Sequence, residues 1–431
     1  MPLRIFALML CLTTAVAQAE TKDDFSYPPI NAFMSTIGGT PEALRAAVPG
    51  EVNIRQRDLS VRVLPERRLP PTLSRYRDLH YRVAWHNKPA PLVFLLAGTG
   101  SGYDSPRLDY LKALYWEAGM HVIVLSSPTN HDFIAAASST GLPGLGQEDA
   151  RDLHTAMSMA VENAQQRLRF EVTEYRMAGF SLGALNAAFV AHLDERLGQF
   201  NFQKVLLLNP PVDLYNSIQR LDSLSDTKVE GISSTDSFYE HVFDKLSRYF
   251  ATTGGTDVES GLFEGIQTSE EALTDAELAL LVGAVFRFAA ADLNFMTDVI
   301  NGTGRYAPAG EPLRVSTSLT PYLRRALFCD FGCYLDNQLW PSWSSRNIDK
   351  SVEDMAYATS LRSIESFIVD NPRMAVITNA DDLILDAADY NYLRQIFAER
   401  AYLFPRGGHG GNLQHVDVTA RMLTFLNGVE Q

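Results

Sequence analysis

The hydrophobic pattern changes character three times along the chain. Residues 52–64 (VNIRQRDLSVRVL) and 76–86 (YRDLHYRVAWH) partly alternate apolar with polar positions, which predicts two antiparallel strands at a sheet edge. From residue 91 the apolar positions become continuous, in PLVFLLAG (91–98), HVIVLSS (121–127), EYRMAGF (174–180) and KVLLLNPP (204–211). Short continuous runs bounded by turn residues predict strands buried on both faces. Helical stretches lie between them, at about 106–118, 147–168 and 182–195, the second with Leu153, Ala156, Met157, Ala160 and Val161 on one face. Strand and helix alternating through short joins predict an α/β fold with a mostly parallel sheet and right-handed crossovers.

After Pro211 that alternation stops. Residues 213–365 read as mostly helical, with long stretches near 236–250, 269–300 and 349–368 and no buried strand. It resumes with a strand at 373–380 (RMAVITNA), a helix at 386–398, a strand at 401–405 (AYLFP) and a helix at 412–426. The expected organisation is an irregular lead-in over 20–50, an α/β core over 51–212, a helical cap or lid inserted at 213–368, and the rest of the core over 369–431. With 431 residues, 46% apolar, there is ample material for such a core.

The N-terminus stands apart from this pattern. Residues 1–19 carry Arg4, an apolar run from Ile5 to about Ala17, and Ala17-Gln18-Ala19, the layout of a cleavable secretory signal peptide. The rival, a membrane anchor, wants about 20 apolar residues, and this run is shorter. Leu10 before Cys11 argues against lipid attachment. A periplasmic or secreted protein is therefore expected, with no membrane span after cleavage. Loss of Arg4 moves the formal charge from −14 to −15. An acidic surface with no basic run argues against nucleic acid as a partner. Cys329 and Cys333 remain once the leader is removed, and an even pair in an exported chain suggests a disulfide. Their spacing also suits two metal ligands on one helical turn, but no His or further Cys lies nearby, so no metal or cofactor is expected. Asn301-Gly302-Thr303 is a glycosylation sequon that matters only in a eukaryotic host.

The chemistry concentrates at Gly179-Phe180-Ser181-Leu182-Gly183, a G-x-S-x-G motif. Alone it is a modest signal, and a plain turn serine is the bland reading. Here an apolar strand runs into it and a helix of small and apolar residues leaves it, so Ser181 is expected on a sharp turn at the carboxyl end of the sheet. A serine hydroxyl needs a histidine base oriented by a carboxylate. In this arrangement the partners follow later strands in the order acid, then histidine. His409 lies in Gly-Gly-His-Gly-Gly after the last buried strand, with His415 the nearest rival. NADD after the strand at 373–380 offers two acids. Asp381 is the first choice because it precedes Ile384 by three residues, Asp382 is the second, and Asp386 reads as an N-cap. The amides of Leu182 and Thr99, with Gly100 next after Thr99, are the candidate oxyanion hole. The Gly98-to-Gly102 loop vaguely suits a dinucleotide, but the next strand ends without an acid for the ribose. The absence of G-K-[ST] excludes a P-loop.

With GFSLG, NADD and GGHGG in these places, the chain resembles the α/β-hydrolase superfamily over about 85–211 and 370–428. Within that superfamily it is similar to the branch of YheT-like and serine-aminopeptidase-like hydrolases. The resemblance implies a Ser181–Asp381–His409 triad and hydrolysis of an ester or related acyl bond through an acyl-enzyme. Where relatives often open the first glycine loop with His-Gly, this chain has Ala97-Gly98. A serine peptidase, or a binding module of the same fold that has lost catalysis, are the alternatives. Tyr239, Phe243, Phe286, Phe288, Phe295, Trp340 and Trp343 of the insertion are expected in its core or along an acyl pocket, the two tryptophans at a rim. His131, after the second buried strand, either faces the site or bonds locally.

Overall fold

The computed structural model describes residues 25–47, 54–230, 273–310 and 313–428. Eight strands form one sheet: β1 Gln56–Val61, β2 Leu79–Ala84, β3 Ala90–Leu96, β4 His121–Leu125, β5 Val172–Phe180, β6 Lys204–Leu208, β7 Met374–Asn379 and β8 Ala401–Phe404. Their spatial order is β1-β2-β4-β3-β5-β6-β7-β8. β2 runs antiparallel to both β1 and β4, and every other neighbouring pair is parallel. This is the α/β-hydrolase fold that the sequence resembles.

Alternate residues of each central strand feed opposite layers of the core. Leu92, Phe94 and Leu96 of β3 pack beneath the helices Gly146–Leu168 and Leu182–Leu197. Val93 and Leu95 point the other way, toward the helices Pro106–Glu117 and Val416–Asn427. With both faces covered, these strands gain from apolar residues at every position, which is why their sequences run apolar without alternation. The N-terminal half of β1 is open to solvent, and the N-terminal half of β5 and the whole of β8 are only partly covered.

The described part of 213–368 contains helices and no strand. The helix Leu214–Leu224 is followed by Asp275–Asn301, which opens with a capping box between Thr274 and Glu277. By length and composition the latter could cross a membrane, but 56% of its most apolar window is buried within the protein. The stretch near 236–250 lies outside the described residues, as do residues 1–24 with the expected leader. Over 349–368 the expected long helix is broken into Val352–Ala358, a 3-10 turn Leu361–Ile364 and Glu365–Asp370. Thr359 and Ser360 cause the break, their hydroxyls turning back onto the carbonyls of Ala356 and Tyr357. Cys329 and Cys333 are joined as a disulfide, their Cα atoms 5.2 Å apart.

The lead-in is better ordered than its sequence suggests. Ala32–Gly38 is a helix capped by Asn31, whose side chain accepts from the Met34 amide. Residues beside it rest on the loop after β8, with Thr40 Oγ1 donating to Gly411 O at 2.8 Å.

Candidate active site

Three loops at the carboxyl ends of β5, β7 and β8 meet here. β5 passes into the helix Leu182–Leu197 through Ser181 alone, so the chain must reverse within one residue. Ser181 takes φ 56° and ψ −124°, a region costing of order 1–3 kcal/mol for a residue with a side chain. Its amide is anchored by donating to Leu208 O of β6 at 2.8 Å. The motif glycines follow from the same reversal. A Cβ on Gly179 would sit 2.1 Å from Gly183 O, and one on Gly183 would sit 2.3 Å from Leu96 O. No side chain fits at either place.

His409 is held just as closely. Gly408 adopts φ 53° and Gly410 φ 76°. A Cβ at Gly408 would meet Ala32 O at 2.3 Å, and one at Gly410 the Phe180 ring at 2.5 Å. The His409 amide donates to Thr36 Oγ1 at 2.9 Å, so the N-terminal helix fixes the loop from outside. The imidazole Nε2 lies 2.9 Å from Ser181 Oγ, and Nδ1 lies 2.9 Å from Asp382 Oδ1.

The carboxylate at the imidazole is therefore Asp382, not the first-choice Asp381. Asp382 sits in a buried polar nest. Its Oδ1 also accepts from the Ile384 amide at 3.1 Å, and its Oδ2 accepts from Asn209 Nδ2 at 2.8 Å and Thr378 Oγ1 at 3.4 Å. Asp381 points instead to the backbone of the histidine loop, accepting from Gly408 N at 2.9 Å and Gly407 N at 3.3 Å. Burial pushes the Asp381 carboxyl above its ordinary range, against the pull of those amides. Both acids serve His409, one at its ring and one at its loop. Asp386 caps the helix Ala387–Phe397 as expected, accepting from Asp389 N at 2.8 Å.

The glycine loop after β3 lies against the serine, where a Cβ on Gly98 would be 3.1 Å from Ser181 Cβ. Gly100 N is engaged by Thr129 Oγ1 at 2.9 Å, and Ser101 N by Gly98 O at 3.0 Å. Thr99 N–H has no hydrogen-bond partner among the described residues. Leu182 opens its helix, where the first amides have no intrahelical acceptor. Thr99 and Leu182 border the same apolar cavity of about 50 Å³, walled by Tyr215, Leu293, Phe331, Tyr334, Leu335 and Leu339.

The remaining sequence candidates fall elsewhere. His131 Nδ1 pairs with Asp292 Oδ2 at 3.1 Å, and that carboxylate outweighs burial to raise the imidazole pKa. His415 caps the last helix and its Nε2 meets Ser26 Oγ at 2.9 Å. Trp340 and Trp343 stack on each other and, with Phe286 and Phe295, pack into the helical core. The expected rim of tryptophans is thus not at this cavity, because stacking buries their faces against the insertion itself. Phe288 is half exposed, and Tyr239 and Phe243 lie outside the described residues. Sequence reasoning missed Asn209, Thr36 and Tyr334. Asn209 was signalled only as the polar residue ending the apolar run of β6.

No family model matches the chain, and no curated protein matches it. Among solved structures it is similar to the esterase Est1E from Butyrivibrio proteoclasticus, at 12% identity and TM-score 0.35, covering 81% of this chain and 94% of that one. It is similar to a Pyrococcus furiosus esterase at 11% and 0.38, covering 89% and 94%, and to the carboxylesterase EstE1 from a metagenomic library at 14% and 0.39, covering 93% and 94%. The strand order defines the fold, and the Ser181–His409–Asp382 contacts define the site.

Proposed function

We propose that the protein is an exported serine hydrolase that cleaves carboxylic esters, with Ser181, His409 and Asp382 as its triad. The observation that carries the reading is the unbroken hydrogen-bond series from Ser181 Oγ through both imidazole nitrogens to Asp382. His409 Nε2 takes the Ser181 proton as Oγ attacks the acyl carbon. The carbonyl oxygen becomes an oxyanion facing the amides of Leu182 and Thr99, each such donor worth roughly 100- to 1000-fold in rate. The tetrahedral adduct expels the alcohol, which leaves with the proton from His409, and Ser181 stays acylated. Water then gives a proton to His409 and attacks the acyl carbon, releasing the acid and returning the proton to Ser181. Asp382 keeps Nδ1 protonated and stabilises the imidazolium.

The apolar cavity beside Thr99 and Leu182 suits the acyl group, and the helices of 213–368 form much of its wall, which supports their reading as a lid. The leader-like residues 1–19 and the Cys329–Cys333 disulfide support export. The resemblance of the triad motifs to YheT-like hydrolases favours that branch.

A fluorophosphonate probe tests the reading directly. Purified protein is expected to be labelled at Ser181 and to hydrolyse p-nitrophenyl acetate, and Ser181→Ala to do neither. Absence of labelling in a folded sample would instead indicate a binding module.

A further inference from the structure

A second cavity, of about 390 Å³, lies beside the first and shares no lining residue with it. It takes walls from three of the segments just described: Gly98 of the glycine loop, Phe180 ahead of the nucleophile, and Gly410 and Gly411 behind the histidine. Its chemistry differs sharply from that of the apolar cavity. Two arginines, Arg45 and Arg107, line it, and no aspartate or glutamate does.

Arg107 is the notable residue. Its guanidinium lies 4.4 Å from the centroid of the Phe180 ring, and that ring lies 5.1 Å from the His409 ring. Among the described residues it has no carboxylate and no hydrogen-bond acceptor. It is partly exposed to solvent, and the protein atoms around it push its pKa down to about 10, so it stays charged at neutral pH with no carboxylate beside it. Stacking on a ring is the bland purpose for such a residue, and packing alone explains many. Stacking uses only the face of the guanidinium, however, and leaves the N–H fork free. Arg45 uses Nε on Thr40 O at 2.7 Å, and its terminal nitrogens have no partner among the described residues. Ser105, at the N-cap of the helix Pro106–Glu117, also lines the cavity and makes no capping bond with its side chain. Bidentate pairing with a carboxylate is the interaction this fork is shaped for.

We infer that this cavity binds a carboxylate carried on the leaving side of the substrate, received by Arg107 with Arg45 and Ser105 beside it. The acyl group goes to the apolar cavity, so the substrate class is an ester whose alcohol or phenol portion bears a carboxylate. The role in substrate choice rests on the ester-hydrolase reading, whereas the anion binding does not.

The test separates the two. Binding of benzoate and of neutral benzamide is measured by calorimetry on Ser181→Ala protein, where no turnover intervenes. Benzoate is expected to bind at least about tenfold tighter than benzamide, and Arg107→Gln to erase the difference while Arg107→Lys retains part of it. In the active enzyme, Arg107→Gln is expected to lower the kcat/KM ratio of 4-acetoxybenzoate over 4-acetoxybenzamide about tenfold. Equal binding of benzoate and benzamide to folded protein overturns the inference, as does benzoate binding indifferent to Arg107→Gln. Benzoate that accelerates a neutral ester instead of competing with 4-acetoxybenzoate also overturns it, in favour of a free effector. Arg107-dependent benzoate binding with no ester hydrolysed supports the anion site and sinks only the esterase reading. Should Arg107→Gln fail to fold, Arg45→Gln and Arg107→Lys supply the same comparison.

Discussion

The two neighbouring aspartates offer the sharpest test of the site. Asp382→Ala removes the acceptor of His409 Nδ1–H and leaves three further donors, Ile384 N, Asn209 Nδ2 and Thr378 Oγ1, facing a void. The imidazole then loses both its orientation and the charge that stabilises imidazolium. In serine hydrolases loss of the triad acid lowers kcat by about 10⁴, equivalent to roughly 5.5 kcal/mol at the transition state. Asp381→Ala instead frees the Gly407 and Gly408 amides, which costs roughly 1–3 kcal/mol of stability for each donor left buried and unmet. If the slackened loop lets His409 drift by as much as an ångström, the rate falls about 100-fold, and that is the ceiling expected. The two variants should therefore differ by about 100-fold or more in kcat/KM. The assay is p-nitrophenyl acetate hydrolysis, with thermal melts to confirm folding. The reasoning fails if folded Asp381→Ala loses as much activity as Asp382→Ala.

Three further outcomes follow from the same geometry. The cavity of about 50 Å³ has room for roughly four water-sized groups, so acetyl to butanoyl esters should be preferred, and Leu339→Ala should move the optimum of a p-nitrophenyl ester series to longer chains. Thr36→Val removes the acceptor of the His409 amide, and kcat should fall about tenfold with a stability loss of about 1 kcal/mol, read by kinetics and urea unfolding. Asp222, which accepts from Gly332 N at 2.8 Å, has its carboxyl raised to about 6 by burial, with Asp330 adding to the rise. The native state thus holds this proton more tightly than the unfolded chain, and stability from this group is full below about pH 4 and lost as pH rises to about 6. Asp222→Asn should flatten that dependence by about 1 kcal/mol after allowance for solvent screening, measured as denaturation midpoints across the window.

Much of this was legible in the sequence, for physical reasons that can be named. Strands buried on both faces cannot alternate, so β3 to β7 stand out as apolar runs, and their ends are where the chemistry collects. GFSLG and GGHGG are visible because close backbone approach forbids side chains at Gly179, Gly183 and Gly408, and the Phe180 ring together with a positive φ does so at Gly410. The choice between Asp381 and Asp382 was not legible. Consecutive side chains in a turn diverge, and which one meets the imidazole depends on Asn209, brought in from β6 some 170 positions away. The short helix within the lead-in was not legible for a related reason. Its helix is short and has little periodicity to detect, and its order comes from packing onto the histidine loop, not from its own propensity.

That packing bears on how the site survives its own strain. Ser181 and the glycines around His409 occupy backbone regions that a free loop would leave. Such conformations persist only where surrounding structure over-determines them. Here the restraint comes from four separate directions. Leu208 O holds the Ser181 amide, Asp381 holds the Gly408 amide, Thr36 holds the His409 amide, and the Phe180 ring fills the space that a Cβ on Gly410 would need. The Phe180 ring also lies against the His409 ring, tilted 42° to it, and carries the Arg107 guanidinium over its face, so one ring joins the reacting centre to the cationic cavity. A substitution there should disturb two functions at once. Phe180→Leu keeps the apolar bulk but loses the stacking faces. It is expected to weaken benzoate binding several-fold in the Ser181→Ala background and to lower kcat in the active enzyme. If benzoate affinity is unchanged in Phe180→Leu, the ring does not position Arg107, and the coupling between the two halves of the site is lost with it.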